Sequence, residues 1–338
     1  MEIPQVIQID DESRVAEVRR AVIALARREG LDEAGASNSA IVATELATNL
    51  SKHAKEGEIH VLPLFNRGLQ GVEILSVDHG PGIANLQQSL IDGYSTTGTL
   101  GTGLGAVRRV SSEFDVYSLP ERGTVVSARI IESKERTDPS PNFVLGVAAK
   151  PLAGEAVSGD AWAARFDRRF ALLVVADGLG HGMQAAEASS EAIRYFVKSS
   201  EESPLELLQQ IHRVLRGSRG AAVSVARIDF DQQQVRFAGL GNVAGVMIGL
   251  GGREEPKLQS MISHNGTAGH EARLIREFTY PFAVDDIVVM HSDGLSGHWN
   301  LQNNPGLLRK HPSVIAGTLY RDCARLRDDV CVLVGKRR

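Results

Sequence analysis

Cysteine is nearly missing from this chain. Cys323 and Cys331 are the only two, they lack metal-site spacing, and both sit in apolar surroundings, so they read as buried thiols and neither a disulfide framework nor a zinc site organises the fold. Long apolar runs are absent as well: none approaches the ~18 residues that a membrane span needs. The acidic opening MEIPQVIQIDDESR has neither the basic end nor the apolar stretch of a secretory leader, so a soluble, cytoplasmic protein without a membrane partner is expected. Charge of one sign is lacking too. Lys and Arg number 37 against 41 Asp and Glu, which leaves no global pull on nucleic acid or anionic lipid and predicts no nucleic-acid partner. Two familiar phosphate loops are missing: GxxxxGK[ST] occurs nowhere, and no strand feeds a GxGxxG turn followed by a suitably placed acidic residue.

What is present fits two domains of roughly 130 and 190 residues. Residues 92–110, DGYSTTGTLGTGLGAVRRV, crowd five glycines (Gly93, Gly98, Gly101, Gly103, Gly105) into a stretch that then turns helical. Glycine lets backbone approach a ligand, and free N–H groups entering a helix attract anions, so phosphate is the expected guest. Upstream, Val15, Val18, Val22 and Leu25 recur at helical spacing, with Gly30 as the stop. A second helix is predicted from about Ser37 to Ala54. On it Ile41, Val42, Leu46 and Leu50 form the apolar stripe, while Glu45, Asn49 and His53 share the opposite face at successive i, i+4 spacings. Apolar runs at 58–65 and 72–77 read as a hairpin, and the second ends abruptly in Asp78-His79-Gly80-Pro81-Gly82. A carboxylate closing a buried strand holds a polar ligand group at a sheet edge. Runs at 114–119 and 124–131 make another strand pair around ERGT.

The motifs ELATN, DHGPGI, GTLGTGLG and RGT, in this order over 1–131, resemble the GHKL (Bergerat) ATP-binding α/β sandwich, and specifically the RsbT/RsbW-type serine kinases of bacterial partner switching. The resemblance implies ATP and Mg²⁺ as cofactors, with Asn49 on the cation and Asp78 accepting from the adenine amino group. It further implies that Gly80, Gly82 and Thr124 shape the nucleotide pocket, that Gly101, Gly103 and Gly105 close over the phosphates, and that Glu45 is the general base. A carboxylate suits that role, since phosphoryl transfer needs positioning, charge neutralisation and an acceptor for the hydroxyl proton. No long dimerising helix with a phosphoacceptor histidine precedes the motifs, and His53 reads as structural.

Residues 132–142, ESKERTDPSPN, are charged, carry two prolines and read as a linker. From 143 to 338 strands bracket helices, and Asp160, Asp177, Asp293 and Asp328 each sit at a strand edge beside Gly or another Asp. Four such carboxylates brought together would repel strongly unless cations neutralised them, and oxygen donors suit Mg²⁺ or Mn²⁺. VSGD, VVADGLGHG, GLGN, VVMHSDGL and LRDDVCVLVG resemble the PPM-type serine/threonine phosphatases of the SpoIIE/RsbX group, which implies an α/β/β/α sandwich and two Mn²⁺ or Mg²⁺ ions. The implied ligands are Asp160, Asp177, the Gly178 carbonyl, Asp293 and Asp328, with Asp329 the neighbouring alternative to the last. His181 is a candidate proton relay to the leaving serine, and Asn242 a candidate support for the ligands. The arginine that grips phosphate in eukaryotic relatives has no evident match.

Together the resemblances imply a bifunctional regulator of a stressosome-like pathway. The first domain would phosphorylate Ser or Thr on a STAS-domain switch protein and the second would remove the phosphate. In the alternative, the first domain is a non-catalytic ATP-binding module that sequesters a partner.

Overall fold

The computed structural model of the chain describes residues 4–54, 56–64, 70–90, 103–132, 143–250, 256–325 and 327–337. Gly101 and residues 133–142 of the expected linker lie outside them. By contact the chain divides into two units: the first holds Pro4–Asp138 with Asn300–Arg321, and the second holds Pro139–Trp299 with Asp322–Arg338.

In the first unit β1 (Gln5–Ile9), α1 (Arg14–Arg28) and α2 (Glu33–His53) precede the hairpin of β2 (Gly57–Pro63) and β3 (Gly71–Val77). Then come α3 (Leu86–Ser89), α4 (Gly103–Val110), β4 (Glu113–Leu119) and β5 (Gly123–Ile131). Helix α2 starts before the expected Ser37 because the Asp32 carboxylate accepts the Gly35 N–H at 2.7 Å and caps the first turn. Strand β1 is an addition to the sequence reading: only five residues long, it pairs at the edge with β2.

The sheet runs β1-β2-β3-β5-β4 with antiparallel neighbours. Alternation sorts its side chains onto two faces. Ile59, Val61, Ile74, Val126 and Ala128 pack against Val18, Val22, Leu46 and Leu50 of the two long helices and form the core. The opposite face carries Glu58, His60, Glu73, Ser127 and Arg129, and Glu58, His60, Glu73 and Ser127 are buried as well.

The second unit begins with β6 (Phe143–Lys150), β7 (Asp160–Phe166) and β8 (Phe170–Gly178), followed by α5 (Met183–Lys198) and α6 (Pro204–Val214). Strands β9 (Ala221–Asp229), β10 (Gln234–Leu240), β11 (Ala244–Gly249), β12 (Lys257–Met261), β13 (Glu277–Pro281), β14 (Ile287–His291) and β15 (Val330–Arg337) complete two sheets, ordered β13-β10-β9-β8-β7 and β12-β11-β14-β15-β6. The first of these packs Leu172, Val174, Val223 and Val225 against Ala192, Phe196, Leu207 and Ile211 of α5 and α6. Phe143 of the second sheet meets the Phe166 and Phe230 rings at 6.5 and 5.6 Å. Both units are thus α/β, the class implied by the sequence.

Helix α7 (Pro312–Cys323) follows β14 in the chain, yet its residues up to Arg321 group with the first unit. The sequence reading keeps 143–338 as one block. The contacts lend Asn300–Arg321 to the sheet face that the long helices leave uncovered: Tyr320 donates to Glu58 at 2.7 Å, and a methyl group added to Gly317 would meet Val125 and Leu75.

One turn is fixed by close approach. Gly123 has φ +86°, and a Cβ there would lie 2.0 Å from the Asp78 carbonyl oxygen; Gly82, at φ +72°, would meet the Leu119 oxygen at 2.1 Å. Strain and clash coincide at Gly123, so Gly123→Ala should destabilise the first unit by about 2 kcal/mol or more, read from the shift of its urea unfolding midpoint.

Candidate functional site

In the first unit the site grows from the end of β3. Asp78 leaves a strand that is buried along its whole length and is itself only 8% exposed. Its backbone N–H donates to the Thr124 carbonyl at 3.0 Å, and its Oδ1 accepts the Gly80 N–H at 2.7 Å. Burial pushes its pKa up, while the N–H groups of Gly80 and Thr124 and the positive charge of Arg321 pull it back down. Thr124 Oγ1 lies 2.9 Å from Ser118 Oγ, which also accepts the Ile83 N–H, so the DHGPG turn and the start of β5 are tied together.

Helix α2 ends against the same turn: a Cβ on Gly80 would lie 3.0 Å from the His53 carbonyl oxygen. Asn49 stands one turn earlier and is half-buried. Glu45, also half-buried, lines an open groove of about 470 Å³ together with Arg19, Ile23, Arg27 and Ile41. Gly103 opens α4, where an added Cβ would meet nothing within 4 Å, and Gly105 is buried in the first turn of that helix.

In the second unit strand register does the assembling. Asp160 opens β7 and faces Asp177 of β8 directly across the ladder. Asp293 follows β14 and Asp328 precedes β15, and those two strands are paired. The acids act on one another electrostatically: Asp177 feels Asp293, Asp328 and Asp329, and Asp160 feels Asp177, Asp329 and Asp293. Asp160, Asp177 and Asp293 are thus within electrostatic reach of one another, and Asp328 acts on Asp177 and Asp293. Gly178 follows Asp177 and donates its N–H to the Gly159 carbonyl at 3.0 Å.

Burial and mutual repulsion set the protonation. Asp160 is 2% exposed, and burial together with Asp177 pushes its pKa well above the ordinary carboxylate value, against the pull of the Ser292 hydroxyl, which donates to Oδ2 at 2.6 Å. Asp177 is pushed up to about 7 by burial and by the charges of Asp293, Asp328 and Asp329. Asp328 is raised by burial first. Carboxylates held this close in a poorly hydrated pocket are what a divalent cation stabilises, and an all-oxygen donor set suits Mg²⁺ or Mn²⁺. Among the described residues no three of His, Cys, Asp and Glu stand at metal-ligating distances. The donor chemistry, carboxylates and a backbone carbonyl, fits such a cation.

The two adjacent aspartates divide their work. Asp329 is 2% exposed, and its oxygens accept the N–H groups of Leu152 and Gly159, each at 2.8 Å, so it pins the ends of β6 and of the loop before Asp160. Asp328 is the exposed member, coupled to Asp293 and His181. His181 Nδ1 lies 2.6 Å from Glu155 Oε1 on the surface. Asn242 donates to Asp293 Oδ2 at 2.6 Å. Ser292, Glu155 and the pinning role of Asp329 escaped the sequence reading. Of these only Ser292 left a signal, by adjoining Asp293 in HSDG.

Comparison with known proteins bears on the family and fold of both units. The family described as Stage II sporulation protein E (SpoIIE) matches residues 167–338, and the histidine kinase-like ATPase domain HATPase_c_2 matches residues 9–130. The serine/threonine-protein kinase RsbT of Bacillus subtilis (strain 168) is 39% identical over 85 residues, which cover 25% of this chain and 64% of RsbT, just under two thirds of that relative. The phosphoserine phosphatase RsbX of the same organism is 26% identical over 186 residues, 54% of this chain and 89% of RsbX. A chain solved in work on the bacterial stressosome as a modular system adapted to control secondary messenger signalling is 26% identical with a TM-score of 0.52, covering 57% of this chain and 99% of its own length. RsbX crystallised with magnesium shares the fold, with a TM-score of 0.53 and 19% identity over 60% of this chain and 99% of that one.

The raised carboxylates have a stability consequence with a definite sign. Between about pH 4 and 7 the native Asp177 keeps a proton that its unfolded counterpart, with the ordinary pKa of 3.8, has lost. Stability of the EDTA-treated chain therefore falls as pH rises through that window. Thermal melts of EDTA-treated protein should show Tm dropping from pH 5 to pH 8, and millimolar Mn²⁺ should reverse the drop. Asp177→Asn should raise Tm in EDTA above pH 7 and abolish the Mn²⁺ response.

Proposed function

The chain belongs to the SpoIIE family and carries an RsbT-like HATPase_c_2 domain ahead of its SpoIIE/RsbX-like PP2C phosphatase domain, and from that premise we propose that it sets the phosphorylation state of a STAS-domain switch protein from both directions. The carrying observation is that one chain holds a buried acidic turn at Asp78 and, separately, a convergence of strand-end carboxylates around Asp177.

In the kinase direction, Asp78 accepts from the adenine amino group, with Gly80, Gly82 and Thr124 shaping the turn around it. Asn49 would hold the Mg²⁺ that accompanies ATP, while Gly103 and Gly105 at the start of α4 would give the phosphates a backbone N–H lining; Gly101, which the resemblance adds to them, lies outside the described residues. Glu45 takes the proton from the switch protein's serine as the serine oxygen attacks the terminal phosphoryl group; the bond from that phosphorus to the bridging oxygen breaks and ADP leaves.

In the phosphatase direction, Asp160, Asp177, the Gly178 carbonyl, Asp293 and Asp328 would hold two Mg²⁺ or Mn²⁺ ions, which supply Lewis acidity to the phosphoryl oxygens and lower the pKa of water. The Ser292 hydroxyl fixes the Asp160 carboxylate, and Cys331 N–H donates back to Ser292 at 3.0 Å. Asn242 orients Asp293, and Asp329 keeps the loop before Asp160 in place. With Nδ1 held by Glu155, His181 has Nε2 available to protonate the leaving serine oxygen.

A second reading rests on the groove beside Glu45, where Ile41 is 44% exposed and flanked by arginines. Such a surface suits capture of a partner without phosphate transfer. Incubation of the chain with ATP and a STAS-domain switch protein separates the readings. Glu45→Ala should lower phosphate incorporation about 10²- to 10⁴-fold and leave removal intact. Asp177→Asn should stop Mn²⁺-dependent removal and spare incorporation. ATP bound without incorporation into any STAS partner would support capture instead.

A further inference from the structure

Strand register carries a cation to the acidic centre of the second unit. In the β8–β9 ladder Asp177 faces Ala222 and Gly178 faces Ala221, and one step further the Leu179 N–H donates to the Gly220 carbonyl at 3.0 Å. Arg219 comes next, beside Gly180. A Cβ on Gly180 would stand 3.0 Å from Arg219 Nη1, and a Cβ on Gly159 would stand 3.4 Å from the Gly180 carbonyl oxygen. The loop that continues from Asp177 is therefore bracketed by the residue before Asp160 and by the Arg219 guanidinium.

The backbone around Arg219 is held while the side chain's head is not. Ser218 donates its N–H and its hydroxyl to the Leu215 carbonyl, at 3.0 and 2.7 Å, and its Oγ accepts the Gly220 N–H at 3.0 Å. His270 Nε2 lies 3.1 Å from the Ser218 carbonyl oxygen. Gly220, at φ +77°, is packed so closely that a Cβ would meet the Ala268 carbonyl oxygen at 2.7 Å. Arg219 itself is exposed. Among the described residues its side chain has one hydrogen bond, a long 3.5 Å from Nη1 to the Leu179 carbonyl, and no carboxylate partner.

Such a cation is spare, and the site has need of one. Asp160, Asp177, Asp293 and Asp328, fully ionised, would only balance two divalent cations, and Asp329 adds a further negative charge that acts on the same group. A centre near neutrality does not by itself attract a phosphomonoester, which arrives with about 1.5 to 2 negative charges of its own. We infer that Arg219 grips the phosphoryl group of the phosphatase substrate, placing two guanidinium N–H groups on two of its non-bridging oxygens, and so sets the affinity for a phosphomonoester. That role rests on the phosphatase reading above. Arg325 is also tied to this centre, through its backbone N–H on the Gly294 carbonyl at 2.7 Å, but its charge acts on the buried His291.

p-Nitrophenyl phosphate is the probe of choice, since it carries the phosphoryl group and nothing of a partner protein. Hydrolysis by the full chain is measured with Mn²⁺ kept low enough that its phosphate salt stays dissolved, and inorganic phosphate serves as the competitive inhibitor. Mn²⁺ binding is read separately by electron paramagnetic resonance. Arg219→Ala should raise both KM and the phosphate inhibition constant about 10-fold, as expected for a lost hydrogen bond to a charged group, with kcat much less affected. It should bind Mn²⁺ at least as tightly as the wild type. Arg219→Lys, which keeps the charge without the fork, should recover part of the loss, and Arg325→Ala should change neither constant. If Arg219→Ala binds phosphate as the wild type does, if it also loses Mn²⁺ affinity, if Arg219→Lys recovers nothing, or if Arg325→Ala gives the same rise, the role of Arg219 is overturned while the phosphatase reading stands. If the wild-type chain does not hydrolyse the probe with Mn²⁺, the phosphatase reading falls, and the grip falls with it.

Discussion

Like charge in a confined space is the constraint on which the second unit depends. Asp160 and Asp177 are forced together by the β7–β8 register, and the pairing of β14 with β15 brings Asp293 and Asp328 to the same place. Nothing in sheet formation favours that concentration of acid, and burial first, then the neighbouring acids, push the pKa values of Asp160 and Asp177 up. Neighbouring side chains are arranged to tolerate it. Ser292 and Asn242 each hold one carboxylate, and Asp329 satisfies two backbone N–H groups that the loops would otherwise leave to water. A fold that accepts such repulsion at one end of its sheets has placed stability second to binding there.

Much of this was legible before the fold was known, and the legible part has a common cause. An aspartate that ends an apolar run, such as Asp78 after β3 or Asp177 at the end of β8, announces itself because strand burial is written in consecutive residues. The unread elements are those whose meaning is long-range. Strands β12 and β13 lie at the edges of their sheets, with burial confined to scattered positions, so their sequences carry little alternation. Asp329 looks interchangeable with Asp328 until Leu152 and Gly159 are seen to point their N–H groups at it. Helix α7 is apolar or small over most of its surface, and such a helix names no particular sheet as its partner.

The sheet of the first unit shows the same contrast between its two faces. The side toward α1 and α2 is ordinary aliphatic packing that many helices could provide. The other side buries Glu58, His60 and Glu73, groups that are expensive to desolvate unless each finds a specific partner. Tyr320 and Ser313 are placed to meet them, directly at Glu58 and through Arg129 at Glu73. Polar burial of this kind contributes less to stability than to selectivity. It rejects covers that lack the matching donors, and so identifies Asn300–Arg321 as a dedicated one.

That choice of cover changes what counts as a module in this protein. The ATP-binding half is completed by residues encoded near the far end of the chain, so a fragment that stops after β5 keeps its aliphatic core but bares a row of acids and a histidine to solvent. A fragment that starts at β6 inherits a helix whose sheet has been left behind. Exchange of one half for a homologue would have to bring the matching 300–321 stretch with it, and the two halves are therefore expected to change together over evolutionary time even though each has its own fold.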